Sequence, residues 1–459
     1  RDQPRSRGLG DVYKRQLVNR ELTVELALKI GLAISTYTKS GKILVAHDTR
    51  TSAQMIEQAL TAGLLSGGSK VYRIGLAPTP VLAYLTRNMK MDTGIMITAS
   101  HNPPQYNGIK PFNKEGIAYG EEEQKVIENI IESGSYVRCE WKDVKNVETF
   151  VNAYKKYVNA IVNSINLNRS WTIVLDPGCG ASSILAPKLF KELGCTIYTV
   201  NANPNGFFTA RSPDPKPENL LSLCSLVKFV GADIGFAYDG DADRVVVVDK
   251  HGTVVPLDVM FASYASYIVE HYGGGLVIAN VEASLCIDEA VKSVGGEVIR
   301  TKVGDVYIAE AIKKHNAVFG GEPCGAWIHP QYHLCPDGIL SSVLILKALE
   351  ESKTSLSSFV SKVKSYPIVR RNVPCENKLK QLVMNKIEIS LKEVFSDIKE
   401  VLTVDGVWIR LQRGWILIRP SGTEPLIRIT AEAKTESLAK EYVSKALSFV
   451  SKVIREVKI

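Results

Sequence analysis

The sequence contains no C-x-x-C pair. Its eight cysteines are scattered, which removes the zinc-ribbon and disulfide-framework classes and points to a reduced, cytoplasmic protein. No run approaches the ~18–20 apolar residues of a membrane span, and no signal peptide is visible, so no membrane partner is expected. Basic blocks are also missing. The formal net charge is +8, but residues 1–16 hold five Lys/Arg against two Asp and carry +3 of it. The other +5 is spread over 443 residues, which argues against nucleic acid as the partner and suits a small anionic substrate. No low-complexity tract is present. What remains is an ordinary composition, 45% hydrophobic and 23% charged, in a chain of 459 residues, long enough for three or four domains.

Three segments repeat one plan. Ile43–Ala46 reads as a strand, Ala53–Leu65 as a small-residue helix stopped at Gly67-Gly68, and Val71–Ile74 as a second strand. The same order recurs as Thr172–Leu175, Ile184–Leu193 and Thr196–Val200, and again as Leu276–Ala279, Leu285–Val294 and Glu297–Thr301. Each set is succeeded by another apolar strand that runs into an irregular polar motif: Gly94–Ile97, Ile234–Tyr238 and Ala317–Phe319. The C-terminal part differs, with turn signals at Asp405-Gly406 and Arg413-Gly414 around Val407–Leu411 and Trp415–Ile418, then a long amphipathic helix. The expected fold is α/β: three related mixed-sheet α/β domains plus a C-terminal α+β domain around one central cleft. Boundaries are expected at 17–150, 151–252, 253–366 and 367–459, with residues 1–16 a non-native leader.

The first motif, T-A-S-H-N-P-P-Q-Y-N-G-I-K, spans Thr98–Lys110. Pro103 and Pro104 exclude helix or ladder pairing there, and Asn107-Gly108 predicts a turn. Ser100, His101, Asn102 and Lys110 then sit on one rigid loop at a strand end. The second, D-G-D-A-D-R, places Asp239, Asp241 and Asp243 at every second position of a tight loop, a hard oxygen site suited to Mg²⁺. An EF-hand also begins D-x-D-x-D, but its glycine and glutamate positions are held by Arg244 and Lys250 and its flanks are strands. The third, G-E-P-C-G, fixes the carboxylate of Glu322. The fourth is R-P-S-G-T-E-P, in which Gly422 allows close wrapping, Ser421 and Thr423 donate hydroxyls, and Arg419 offers a fork to a phosphate, with Arg428 beyond.

In this order the four motifs resemble those of the α-D-phosphohexomutases, over essentially Leu17–Ile459. That resemblance implies a phosphoryl group on Ser100, and Mg²⁺ held by Asp239, Asp241, Asp243 and a phosphate oxygen on Ser100. It implies a phosphate contact from Arg244, and Lys110 as the general base with His101 as rival. Glu322 would accept from two sugar hydroxyls, beside Cys324 where the family often has Ser; a thiol is the weaker donor. Arg419, Ser421, Gly422, Thr423 and Arg428 would anchor the substrate's own phosphate. The implied reaction is reversible transfer between the 6- and 1-positions of a hexose phosphate through a hexose 1,6-bisphosphate, in a monomer or homodimer. G-E-P-C-G and V-G-D-V-Y-I-x-E resemble the phosphoglucosamine mutases more than the phosphomannomutases, with glucose and mannose phosphates the next substrates. A phosphatase using the same phosphoserine and a non-catalytic sugar-phosphate binder remain open. The departure is at the start: family members open with a strand and a loop resembling G-T-S-G-x-R-G, whereas Leu17–Thr36 resembles the stretch just after that loop. A first strand and a cleft arginine are therefore expected to be missing.

Overall fold

The computed structural model describes residues 16–421 and 425–458. The expected leader, apart from Gln16, lies outside the described residues.

The three β-rich sets build one sheet plan three times. In the first, strand Lys42–His47 lies between Lys70–Leu76 and Thr93–Ile97, all parallel. In the second, Thr172–Asp176 lies between Thr196–Thr199 and Ile234–Tyr238. In the third, Gly275–Asn280 lies between Gly296–Thr301 and Phe319–Gly321. The chain steps outward from the central strand, then crosses back over it. Right-handed crossovers in opposite directions put successive helices on opposite faces and open a crevice at the carboxyl ends of the central and third strands. Each polar motif begins at that point. In the first two sheets an antiparallel strand closes the far side: Ile109–Asn113 on Thr93–Ile97, and Val245–Asp249 on Ile234–Tyr238.

Three sequence expectations shift. Asn107-Gly108 is not a turn: Tyr106–Asn107 pairs antiparallel with Gln16–Leu17, and the Gly108 carbonyl accepts from Thr98 N at 3.0 Å. Lys110 is not on the loop but within strand Ile109–Asn113, opposite Met96. The third motif strand begins at Phe319 rather than Ala317, because Ala317 N still closes the preceding helix onto the Ile312 carbonyl.

The chain divides into two compact units. One runs to Leu257 and includes Cys324–Phe359; the other comprises Asp258–Pro323 and the chain from Val360 onward. The first holds the first two sheets. Its helices Val24–Tyr37 and Ala53–Ser66 touch backbone to backbone: a Cβ on Gly31 would lie 2.2 Å from the Leu60 carbonyl, and one on Gly63 2.1 Å from that of Leu28. Helix Gly338–Glu351, which the sequence groups with segment 253–366, belongs to this unit, with Ser342 Oγ accepting from the buried Tyr238 hydroxyl at 3.0 Å. The second unit contains the third sheet's parallel strands and an antiparallel sheet ordered Ile368–Pro374, Leu426–Ala433, Gly414–Pro420, Val407–Leu411, Glu400–Leu402. Helices Lys380–Val394 and Glu436–Lys458 cover it, burying Ile387, Val443 and Val450 against Ile416, Ile418 and Ile429.

Candidate active site

Strand Thr93–Ile97 is wholly buried and delivers the chain to Ser100. Thr98 starts the bend: its hydroxyl donates to Asp48 Oδ2 at 2.7 Å and accepts from Ser100 N at 2.9 Å. Ser100 then adopts φ 51°, a left-handed conformation costly for a residue with a Cβ. That conformation aims its hydroxyl at Asp239, donating to Oδ2 at 2.7 Å, with His101 Nδ1 3.3 Å away. The aspartate loop comes close because Gly240 has no side chain; a Cβ there would lie 2.5 Å from the Ser100 carbonyl oxygen.

Asp239, Asp241 and Asp243 are buried, and each offers an oxygen within 4.8 Å of the others. Burial first, then the neighbouring Asp243 and Asp241 charges, push the Asp239 carboxyl well above the usual carboxylate range. Asp241 Oδ2 accepts from the Thr79 hydroxyl at 2.5 Å, while its Oδ1 is buried without a hydrogen-bond partner. Three carboxylates concentrated in this way, one with an orphaned oxygen, fit a hard divalent cation. Arg244 lies beside them, its N donating to Asp239 Oδ1 at 3.2 Å and its Nε 3.9 Å from Asp243 Oδ1. Lys110 Nζ is 3.9 Å from Asp243 Oδ2, above the Phe112 ring. Ser100, His101, Lys110, Arg244 and the three aspartates are thus brought together in the first unit. Cys324, also in this unit, is half-buried and leads into the contact of Gly325 O with Val245 N at 3.1 Å.

In the second unit, Glu322 Oε1 accepts from Asn280 Nδ2 at 2.8 Å and from Gly304 N at 2.9 Å, so two neighbouring loops orient its carboxylate. Arg419 is the penultimate residue of strand Gly414–Pro420 and faces Arg428 directly across the ladder. Like charges in such a pair repel unless anions lie between them. Two carboxylates pair with Arg419 here: Asp405 Oδ2 at 3.0 Å and Glu282 Oε1 at 3.2 Å. Its Nε is buried without a hydrogen-bond partner. Ser421 is buried, its N donating to the Leu426 carbonyl at 3.0 Å. Gly422 and Thr423 lie outside the described residues.

Sequence reasoning missed Asp48, Arg50, Thr79, Asn280, Glu282, Gly304 and Asp405. Asp48, Arg50 and Glu282 carried a usable signal, their place just past the carboxyl end of a strand, while Gly304 and Asp405 lay in segments already singled out without a site role.

Models of the phosphoglucomutase/phosphomannomutase domains match in order: alpha/beta/alpha domain I over residues 9–138, domain II over 152–252, domain III over 257–366 and the C-terminal domain over 371–447. A protein of Pyrococcus horikoshii named "Probable phosphoglucosamine mutase" is 46% identical over 96% of this chain and 97% of its own length. One of the same name from Methanothermobacter thermautotrophicus is 42% identical, covering 95% of each chain. Among solved structures, a phosphoglucomutase/phosphomannomutase family protein from Burkholderia thailandensis superposes with TM-score 0.84 at 26% identity, covering 97% of each chain. The fold extends to an Aspergillus fumigatus N-acetylphosphoglucosamine mutase, described in complex with GlcNAc-6P and magnesium, at TM-score 0.55 and 13% identity over 95% of this chain and 94% of that one. Matched in all four domains and along nearly its whole length, the chain belongs to the phosphoglucomutase/phosphomannomutase family, the α-D-phosphohexomutases, and is an isomerase.

Proposed function

We propose that this enzyme is a phosphoglucosamine mutase, interconverting the 6- and 1-phosphates of glucosamine through phospho-Ser100. The observation that carries the reading is the Ser100 hydroxyl at 2.7 Å from Asp239 within a buried trio of carboxylates. The substrate assignment rests on relatives 41–46% identical that bear that name.

In the proposed reaction the sugar's hydroxyl oxygen attacks the phosphorus of phospho-Ser100. The new P–O bond forms as the bond to Ser100 Oγ breaks, and the hydroxyl proton passes to Lys110 or His101. Asp239, Asp241, Asp243 and a phosphate oxygen on Ser100 would hold Mg²⁺, which when bound neutralises charge on the phosphoryl group being transferred. Arg244 contacts that group as a permanent cation. The bisphosphorylated sugar then returns its other phosphate to Ser100. Arg419, Ser421, Gly422, Thr423 and Arg428 hold the phosphate that is not reacting, displacing Glu282 and Asp405 from Arg419. Glu322 accepts from sugar hydroxyls, with Cys324 beside it.

The test is ³¹P NMR of glucosamine, glucose and mannose 6-phosphates with enzyme, Mg²⁺ and a trace of hexose 1,6-bisphosphate. A mutase makes 1-phosphate without stoichiometric inorganic phosphate, fastest from glucosamine, and Ser100→Ala loses both turnover and the phosphate seen by intact mass. Stoichiometric phosphate release would make the protein a phosphatase, and no change would make it a binder. A fully active Ser100→Ala would refute the mechanism.

A further inference from the structure

The Arg50 side chain is wholly buried in the first unit, and all five of its guanidinium N–H groups are used. Nε donates to Asp48 Oδ2 at 3.0 Å. Nη1 donates to the carbonyls of Pro103 at 2.6 Å and Tyr106 at 2.9 Å, and Nη2 to those of Ser100 at 2.9 Å and Asn102 at 2.6 Å. Four carbonyls of one irregular loop therefore converge on a single cation about fifty residues earlier in the chain. The loop itself gives the Pro103 carbonyl one donor, Tyr106 N at 3.1 Å, but Pro103 and Pro104 lack N–H groups and Ser100 has left the extended region, so Arg50 supplies donors to all four. Asp48 fixes the fork from behind, accepting also from Arg50 N at 2.9 Å and from the Thr98 hydroxyl. Phe208, on a loop of the second repeat, covers the guanidinium with its ring centroid 5.2 Å away. A Cβ on Gly206 of that loop would lie 2.3 Å from the Thr49 carbonyl, so the cover is closed tightly.

We infer that Arg50 is a positioning residue for phosphoryl transfer: its planar fork is the template that holds Ser100 in the left-handed conformation facing Asp239. The inference rests on the phosphoserine reading above. It assigns Arg50 no contact with substrate, so its loss should slow transfer without weakening sugar-phosphate binding. A lysine cannot substitute, because one ammonium offers three donors from a single point and cannot reach four carbonyls and a carboxylate.

Arg50→Lys and Thr98→Val are compared with wild type by hydrogen exchange of the 98–108 peptide and by steady-state kinetics on glucosamine 6-phosphate. Thr98→Val keeps the shape while removing the hydroxyl between Asp48 and Ser100 N, and it decides the matter if Arg50→Lys does not fold. Exchange in that peptide should quicken roughly tenfold or more while the rest of the unit stays protected. Turnover should fall about a hundredfold with KM held within about threefold, the penalty of misplacing a reacting group by about 1 Å. Unchanged exchange in the loop, unchanged kcat, or a KM that rises in step with the loss of kcat would each overturn the template role. A wild-type enzyme that transfers no phosphate would instead refute the proposed function, while the exchange measurement would still report whether Arg50 orders the loop.

Discussion

Replacing Asp241 by Asn should make the metal-free protein more stable and the Mg²⁺-loaded protein less so. The three carboxylates of the cluster approach within 4.8 Å. At an effective dielectric constant near 20, two full charges at that separation repel by about 3 kcal/mol. Burial and the two neighbouring charges already hold the Asp239 carboxyl above its usual range, which marks full ionisation of the trio as unfavourable, and relieving one charge should recover about 1–3 kcal/mol. Asn suits the position: its carbonyl can still accept from the Thr79 hydroxyl, and its amide would point a donor from the place of the orphaned Asp241 Oδ1. In EDTA the melting temperature should therefore rise by a few degrees. With Mg²⁺ at about a hundred times its dissociation constant the wild type gains roughly 3 kcal/mol, and the variant, with one anionic ligand fewer, should lose most of that gain. Thermal melts across a Mg²⁺ titration should accordingly cross, with the variant ahead at zero metal and behind at saturation. A variant that is less stable than wild type in EDTA, or that keeps the full Mg²⁺ response, would refute the assignment of this cluster as the cation site.

The second unit offers two further tests. Arg419→Ala should raise KM for every sugar phosphate alike, about tenfold or more for a lost charge-assisted contact, whereas Glu322→Gln should reorder the sugars; Glu282→Gln, by removing a competing carboxylate from Arg419, should lower KM. Parallel shifts for all three variants would mean the two loops do not divide anchoring from sugar reading. The buried Glu432 carboxyl is pushed up by desolvation from 4.5 to about 7. It is protonated in both folded and unfolded chains below pH 4.5, so its favourable state is intact there. Between pH 4.5 and 7 the unfolded chain ionises first, and stability drops by about 3 kcal/mol in all. Glu432→Gln should flatten that fall in denaturant titrations at pH 5, 6 and 8; an unchanged slope would show that the carboxyl is not the source.

The strand ends and the side chains they present were legible because both leave local signatures. Apolar runs of three to five residues stop at motifs rich in glycine, proline and charge, and the three aspartates alternate along a segment whose glycine marks a tight loop. The strand carrying Lys110 was hidden by Pro111, which normally argues against pairing; Ile109–Asn113 is an edge strand, where a missing N–H can be tolerated. Thr79 could not be found from sequence, since its partner Asp241 lies 162 residues away and a threonine at a helix start looks like any cap. Likewise nothing near Arg419 announces that Glu282 and Asp405 pair with it.

Arg50 points to a more general reason for what was missed. A chain that leaves a sheet ladder for an irregular loop strips its carbonyls of their partners, whichever side chains the loop carries. Each repeat meets this need with a buried arginine paired to an aspartate. Arg50, paired with Asp48, holds the Ser100 loop. Arg211, paired with Asp176, donates to the carbonyl of Tyr238, the residue before the three-aspartate loop. Arg300, paired with Asp288, donates to the carbonyls of Asn280 and Ala283, beside Glu282. The three arginines occupy different places in the plan: after the central strand, after the second strand, and on the second strand itself. They therefore leave no repeat in the sequence, although they answer the same backbone requirement. Their acceptors are main-chain oxygens, which every residue type supplies. A serine and a trio of aspartates can thus follow equivalent strand ends beside buried arginines, while in the third repeat Arg300 braces the loop after the central strand instead, and the chemistry varies because the bracing does not depend on it.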